Sequence, residues 1–225
     1  MKKLLLSAFV ICLAGTSIAQ ESPLWMRHCA LSPDGTTIAF TYKGDIYTVP
    51  STGGRATQIT TNPAFDTEPV WSPDSKQIAF ASDRMGSLDV FVVSSEGGAP
   101  QRLTTHSGSE KPVAYKDNKH ILFTANIAPS AEDAGFPSGQ FQQVYEVAVT
   151  GGRPAMFSSM PMECISINKE GVMLYQDKKG YEDYWRKHQV SPIARDIWTY
   201  TPGKKPVYQK QTTFGGEDRV PRTKR

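Results

Sequence analysis

The chain has 225 residues, of which 39% are apolar, 10% aromatic and 21% charged, with a formal net charge of +3. That length allows one large all-β domain or two small ones, and that apolar fraction excludes an intrinsically disordered chain. Outside the tail Arg222-Thr223-Lys224-Arg225 there is no basic block, which argues against nucleic-acid binding, because phosphate recognition needs a concentrated cationic footprint.

The N-terminus reads as a signal peptide covering residues 1–19. Lys2 and Lys3 form a basic start, the apolar run from Leu4 to Ala14 follows, and Ser17-Ile18-Ala19 meets the small-x-small rule for cleavage before Gln20. The apolar run is too short to cross a bilayer comfortably; an N-terminal anchor helix is the alternative. Cys12 follows Phe9-Val10-Ile11, which lacks the small residue needed before a lipidated cysteine, so it belongs to the discarded segment. Cleavage leaves 23 basic against 22 acidic residues, a net charge of +1. The mature chain is then periplasmic or otherwise exported, with no membrane span. Its two cysteines, Cys29 and Cys164, could form a disulfide in that setting. Two buried free thiols are the favoured reading, since cysteine packs as a small hydrophobe.

A repeat organises residues 20–225. Ala30-Leu31-Ser32-Pro33-Asp34-Gly35 precedes Ile38-Ala39-Phe40, and Val70-Trp71-Ser72-Pro73-Asp74-Ser75 precedes Ile78-Ala79-Phe80. Ser-Pro-Asp-Gly is turn chemistry: Pro presets φ, Asp bonds back to the backbone, and Gly accepts positive φ. A β-branched and aromatic run follows in each unit, Asp45-Ile46-Tyr47-Thr48-Val49 and Asp89-Val90-Phe91-Val92-Val93. Gly53-Gly54 and Gly97-Gly98 then mark tight hairpins. Four short antiparallel strands in about 40 residues is the size of a propeller blade.

The third unit runs through Lys111-Pro112-Val113-Ala114-Tyr115, Ile121-Leu122-Phe123, Val144–Val149 and Gly151-Gly152. The fourth carries Glu163–Ile167, Val172–Tyr175, Asp196–Tyr200 and Val207–Thr212. Insertions at 124–143 and 176–195 separate the second and third strands of these two units. A fifth unit opens with Gly216-Glu217-Asp218-Arg219-Val220-Pro221. The predicted fold is therefore an all-β β-propeller of four four-stranded blades (25–61, 66–105, 110–158 and 162–213) plus the start of a fifth (214–225). The ring is incomplete, as in a truncated protein.

Catalytic, cofactor-binding and metal-binding residues are all predicted to be none. There is no Gly-x-Ser-x-Gly, no His-Glu-x-x-His, no Cys-x-x-Cys and no phosphate loop. His28, His106, His120 and His188 are scattered without partners at ligand spacing, and read as loop or strand-end residues. Asp83–Asp89 lacks the alternating acids of a calcium loop and reads as a hairpin turn. Trp71, Trp198, Phe40, Phe80 and Phe123 read as filler between blades rather than a ligand platform. The insertion containing Gly180–His188 mixes charge with aromatics, so it serves either as a contact surface or as a solvated hairpin extension.

The order Ser-Pro-Asp-Gly, Ile-Ala-Phe, Gly-Gly resembles the propeller repeat shared by TolB-type proteins and tricorn-type peptidases. Pro23-Leu24-Trp25-Met26-Arg27 through Gly35 resembles the opening of secreted tricorn-like serine peptidases. Gly180-Tyr181-Glu182-Asp183-Tyr184-Trp185-Arg186-Lys187-His188 and Arg195-Asp196-Ile197-Trp198 resemble a further stretch of them. The resemblance implies a non-catalytic propeller that positions or gates peptides for hydrolysis by a catalytic region elsewhere. It implies peptides or unfolded polypeptide and downstream peptidase domains as partners, leaves a homo-oligomer open, and implies no cofactor. The alternatives are a TolB-like periplasmic protein-binding propeller without enzymatic activity, and the propeller cap of a prolyl-oligopeptidase-type enzyme.

Overall fold

The computed structural model describes residues 25–127, 142–179, 194–215, 218 and 221. The signal-peptide reading of residues 1–19 lies outside them, as do His188 and most of both insertions.

The first blade comprises β1 (Arg27–Leu31), β2 (Thr37–Tyr42), β3 (Asp45–Pro50) and β4 (Thr57–Gln58). The second comprises β5 (Asp66–Trp71), β6 (Gln77–Ser82), β7 (Asp89–Ser94) and β8 (Gln101–Arg102). The third comprises β9 (Lys111–Tyr115), β10 (His120–Ala125), β11 (Gln143–Ala148) and β12 (Ala155–Ser158). The fourth comprises β13 (Met162–Ile167), β14 (Met173–Asp177), β15 (Ile197–Thr201) and β16 (Val207–Lys210). Each blade is a separate four-stranded sheet with its strands paired antiparallel in chain order. This is the predicted all-β propeller of four four-stranded blades.

The turns form for the reasons their residues give. The Asp34 carboxylate accepts hydrogen bonds from the Ser32 hydroxyl at 2.5 Å and the Thr36 amide at 3.0 Å. Gly35 closes the turn at φ 76°, where Ser75 bears the same left-handed geometry in the second blade. Adjacent turns are also linked, because the Asp34 amide donates to Ser75 Oγ and the Asp74 amide to Asn118 Oδ1. The second glycines of the Gly-Gly turns, Gly54, Gly98 and Gly152, sit at φ 126°, 120° and 121°.

β1 packs on β5, β5 on β9 and β9 on β13, so the first strand of each blade is its innermost one. Between blades lie three apolar clusters. Ile46, Trp71 and Phe80 anchor the first; Val90, Phe123 and Tyr145 the second; Leu122, Met162 and Tyr175 the third. Phe40 stacks on Tyr47, Phe80 on Phe91 and Phe123 on Tyr145, each pair directly opposite across the second and third strands. Burying one such ring contributes about 1.5–3 kcal/mol. Phe80 and Phe123 therefore fill the space between blades, as their spacing predicts, whereas Phe40 is buried but outside these clusters. Trp198 is only half-buried and stands on a third strand, whereas Trp71 is on a first strand.

Two expectations need correcting. The insertions are shorter than 124–143 and 176–195, because β10 continues to Ala125, β11 starts at Gln143 and β14 continues to Asp177. Cys29 and Cys164 are thiols, as favoured, but both are exposed rather than buried. Each lies at the bulge of an innermost strand, where the register shifts and side chains are turned out of the inter-blade core.

Candidate functional site

Two sets of polar residues recur by position. The first occupies the seams between blades. Asp45, Asp89 and Asp196 stand at or just before the start of a third strand. The amide of the next residue, Ile46, Val90 or Ile197, donates to Thr60, Thr104 or Thr212 at 2.9–3.1 Å. The fourth strand adds a donor at one register position. Gln58 bonds Asp45 at 3.0 Å, Arg102 pairs with Asp89 at 2.8 Å, and Lys210 pairs with Asp196 at 2.8 Å.

A second acid follows each of these third strands in the chain, Asp66 and Glu110 at or just before the first strand of the next blade and Asp218 beyond β16. The amides of Asp66, Glu110 and Asp218 donate to the carbonyls of Gly44, Leu88 and Arg195 at 2.7–2.9 Å. Two carboxylates thus share the seam between the first and second blades and that between the second and third. Asp66 is fully buried and held by Arg84, whose guanidinium donates to both its oxygens at 2.9 Å. Arg84 also bonds the Ser82 hydroxyl and lies over the rings of Phe91 and Phe80. Burial lifts the Asp45 carboxyl above its ordinary value, and the Asp66 charge adds to this. At Asp196 burial works in the same direction, but Lys179 and Lys210 outweigh it and hold the carboxyl low. Between the third and fourth blades the charges vanish together. Gln143, Met156 and Met162 occupy the positions of Asp89, Arg102 and Glu110.

The second set lines the innermost strands. His28, Glu68 and Cys164 take equivalent bulge positions with φ of 51°, 55° and 53°. Pro112 stands there in the third blade, and its ring forbids positive φ. Glu68 bridges to Lys111 of the next blade at 2.7 Å. Glu163 receives Lys178 at 2.9 Å and Gln176 at 3.1 Å. The innermost strands therefore carry Glu68, Lys111 and Glu163, a histidine and two thiols.

The remaining candidates are placed as follows. His106 Nδ1 accepts the Gly108 amide at 3.0 Å, and His120 Nδ1 lies 3.0 Å from Asp117, so both are local strand-end contacts. Asp83 closes a turn with Gly86 and accepts the Phe65 amide at 2.7 Å. Arg84, read as a turn residue, instead belongs to the seam. A groove of about 350 Å³ between the first two blades is lined by Thr60, Thr61, Asn62, Pro63, Arg84 and Pro100; its one cation is already committed to Asp66. Among the described residues, no cluster of three or more His, Cys, Asp or Glu could hold a metal ion, and no helix is long and apolar enough to cross a membrane.

The seam acids were missed in the sequence, although a signal was present. Asp45/Thr60/Asp66 and Asp89/Thr104/Glu110 have identical spacing, and Asp196/Thr212/Asp218 differs by one residue.

Four-stranded blades packed through their first strands, with Ser-Pro-Asp turns at one end and acid seams at the other, define a β-propeller of the TolB and tricorn type. The family model for the tricorn protease N-terminal β-propeller domain matches residues 23–223, and the chain belongs to that family. It is 39% identical over 77 residues to tricorn protease homolog 1 of Streptomyces coelicolor, covering 34% of this chain and 7% of that protein. It is 32% identical over 108 residues to the uncharacterized peptidase YuxL of Bacillus subtilis, covering 43% of this chain and 16% of that one. The crystal structure of the tricorn protease superposes with a TM-score of 0.64 at 15% identity, covering 87% of this chain and 19% of that one. The matches span less than a fifth of each of these three proteins.

Proposed function

We propose that the chain is the non-catalytic propeller portion of an exported tricorn-like serine peptidase, and that it positions or gates peptide for hydrolysis by a catalytic region elsewhere in the protein. Residues 20–225 form this unit, behind a signal peptide at residues 1–19. Its partners are peptides or unfolded polypeptide and the peptidase domains. The family match across residues 23–223 carries the reading. The innermost strands support it, because Glu68 of β5 and Lys111 of β9 bring both charge signs together there for an extended backbone and its termini.

The experiment uses the purified chain from Gln20. Fluorescence anisotropy with labelled unstructured peptides is expected to show weak binding that Glu68→Lys reduces severalfold. A fluorophosphonate probe, which labels activated serines, is expected to leave the chain unmodified. Absence of peptide binding, or stoichiometric serine labelling, would overturn the proposal. N-terminal sequencing of the protein from its native host tests export, with Gln20 as the expected first residue.

A further inference from the structure

The seam between the second and third blades holds two acids and one guanidinium, as its neighbour does, but both of its acids are fully buried, whereas Asp45 is only half-buried, and its guanidinium, Arg102, comes from the fourth strand. In the second blade Arg84 follows β6 and neutralises Asp66. The register of β10 against β11 places Ile127 at the corresponding position of the third blade. Glu110, the counterpart of Asp66, therefore has no guanidinium from its own blade. It is fully buried, and among the described residues no ion pair reaches its carboxylate, whose polar neighbours are the Thr104 side chain and the His106 backbone. It shares the seam with Asp89, also fully buried, and with Arg102, which pairs with Asp89 at 2.8 Å.

Among the described residues, the other elements packed against β9 bring no spare cation: β7 carries only Asp89, β10 only His120, which lies beside Asp117, and the His106 ring faces the Gly108 amide. β6 carries no charged residue. On β5, Asp66 is held by Arg84 and Glu68 by Lys111; on β13, Glu163 is held by Lys178. Two buried carboxylates and one guanidinium carry an uncompensated negative charge, and one proton removes it.

We propose that Glu110 carries a proton in the folded protein and that the seam between the second and third blades is a pH-sensitive joint, tight when Glu110 is neutral and loosened when it ionises. Burial, and then the Asp89 charge, push the Glu110 carboxyl from 4.5 up to about 7, against the opposing pull of Thr104, Arg102 and the His106 backbone. Because the folded value lies above the unfolded one, the stabilisation is complete below pH 4.5 and is lost as pH rises to about 7. For an exported protein, whose surroundings are not buffered as the cytoplasm is, such a joint would couple blade packing to external pH.

The wild-type chain from Gln20 tests this directly. Hydrogen exchange, corrected for intrinsic rates, should show the Leu103 and Glu110 amides losing protection as pH rises from 4.5 to about 7, while Ile46 and Ile59 in the first blade keep theirs. Two variants give a second reading. Glu110→Gln should raise Tm at pH 8 by about 5 °C and flatten the fall in Tm between pH 5 and 8. Ile127→Arg, which restores the cation of the second blade, should also flatten it. Uniform protection across both seams, or a Glu110→Gln variant that folds and keeps the wild-type pH slope, would overturn the proposal.

Discussion

The indole Nε1 of Trp71 donates a 2.9 Å hydrogen bond to the carbonyl of Ala30, joining the innermost strands of the second and first blades. The ring is 6% exposed and packs with Ile46, Ile78 and Phe80. One residue therefore supplies apolar area and satisfies a polar group at the same seam.

Trp71→Phe keeps most of the area and leaves the Ala30 carbonyl without its donor. It should cost about 1–3 kcal/mol, and Trp71→Ala about 3–5 kcal/mol. Denaturant titration of both variants measures the split. Equal losses would mean that the hydrogen bond, not the packing, dominates.

Asp66 and Arg84 form a buried pair, so removing one partner strands the other. Arg84→Met should cost about 3–5 kcal/mol, and Asp66→Asn in the same background should recover part of that. A double-mutant cycle read by thermal unfolding checks the sign. Additive losses would show that the two side chains act independently.

Gly98 has φ 120°, a conformation that residues with a Cβ rarely adopt, and open space around it. Gly98→Ala should therefore destabilise by more than about 1 kcal/mol through backbone strain alone. Unchanged stability in calorimetry would show that the turn relaxes.

The Ser32 hydroxyl, then the amide and hydroxyl of Thr36, hold the Asp34 carboxyl below its ordinary value. A lowered folded value gives stability that is present above the unfolded pKa and lost as pH falls through the folded one. NMR titration should show Asp34 ionising at lower pH than a free aspartate, and Ser32→Ala should bring it back toward the ordinary value.

Much of the fold was legible because blade chemistry is local. Ser-Pro-Asp turns, Gly-Gly hairpins and paired aromatics each act over a few residues, so their spacing reveals strand order. The seam acids were harder to read. Asp45 and Asp66, or Asp89 and Glu110, sit in different blades, and neither residue in isolation says that it will be buried beside the other. Arg84 looked like a turn residue because its partner Asp66 lies 18 positions earlier, on the innermost strand of the same blade.

The sequence alone determined that this chain is built of repeated four-stranded units and which residues fill the space between them, because strand period and turn geometry are properties of short segments. Only the tertiary structure decided which charges are compensated. Glu110 and Asp66 occupy the same repeat position, yet Arg84 pairs with Asp66, whereas Ile127 stands in its place in the third blade and the one guanidinium of that seam, Arg102, pairs with Asp89 instead. Coulomb energy and desolvation depend on distance and burial across the seam, and those quantities exist only once the blades have packed.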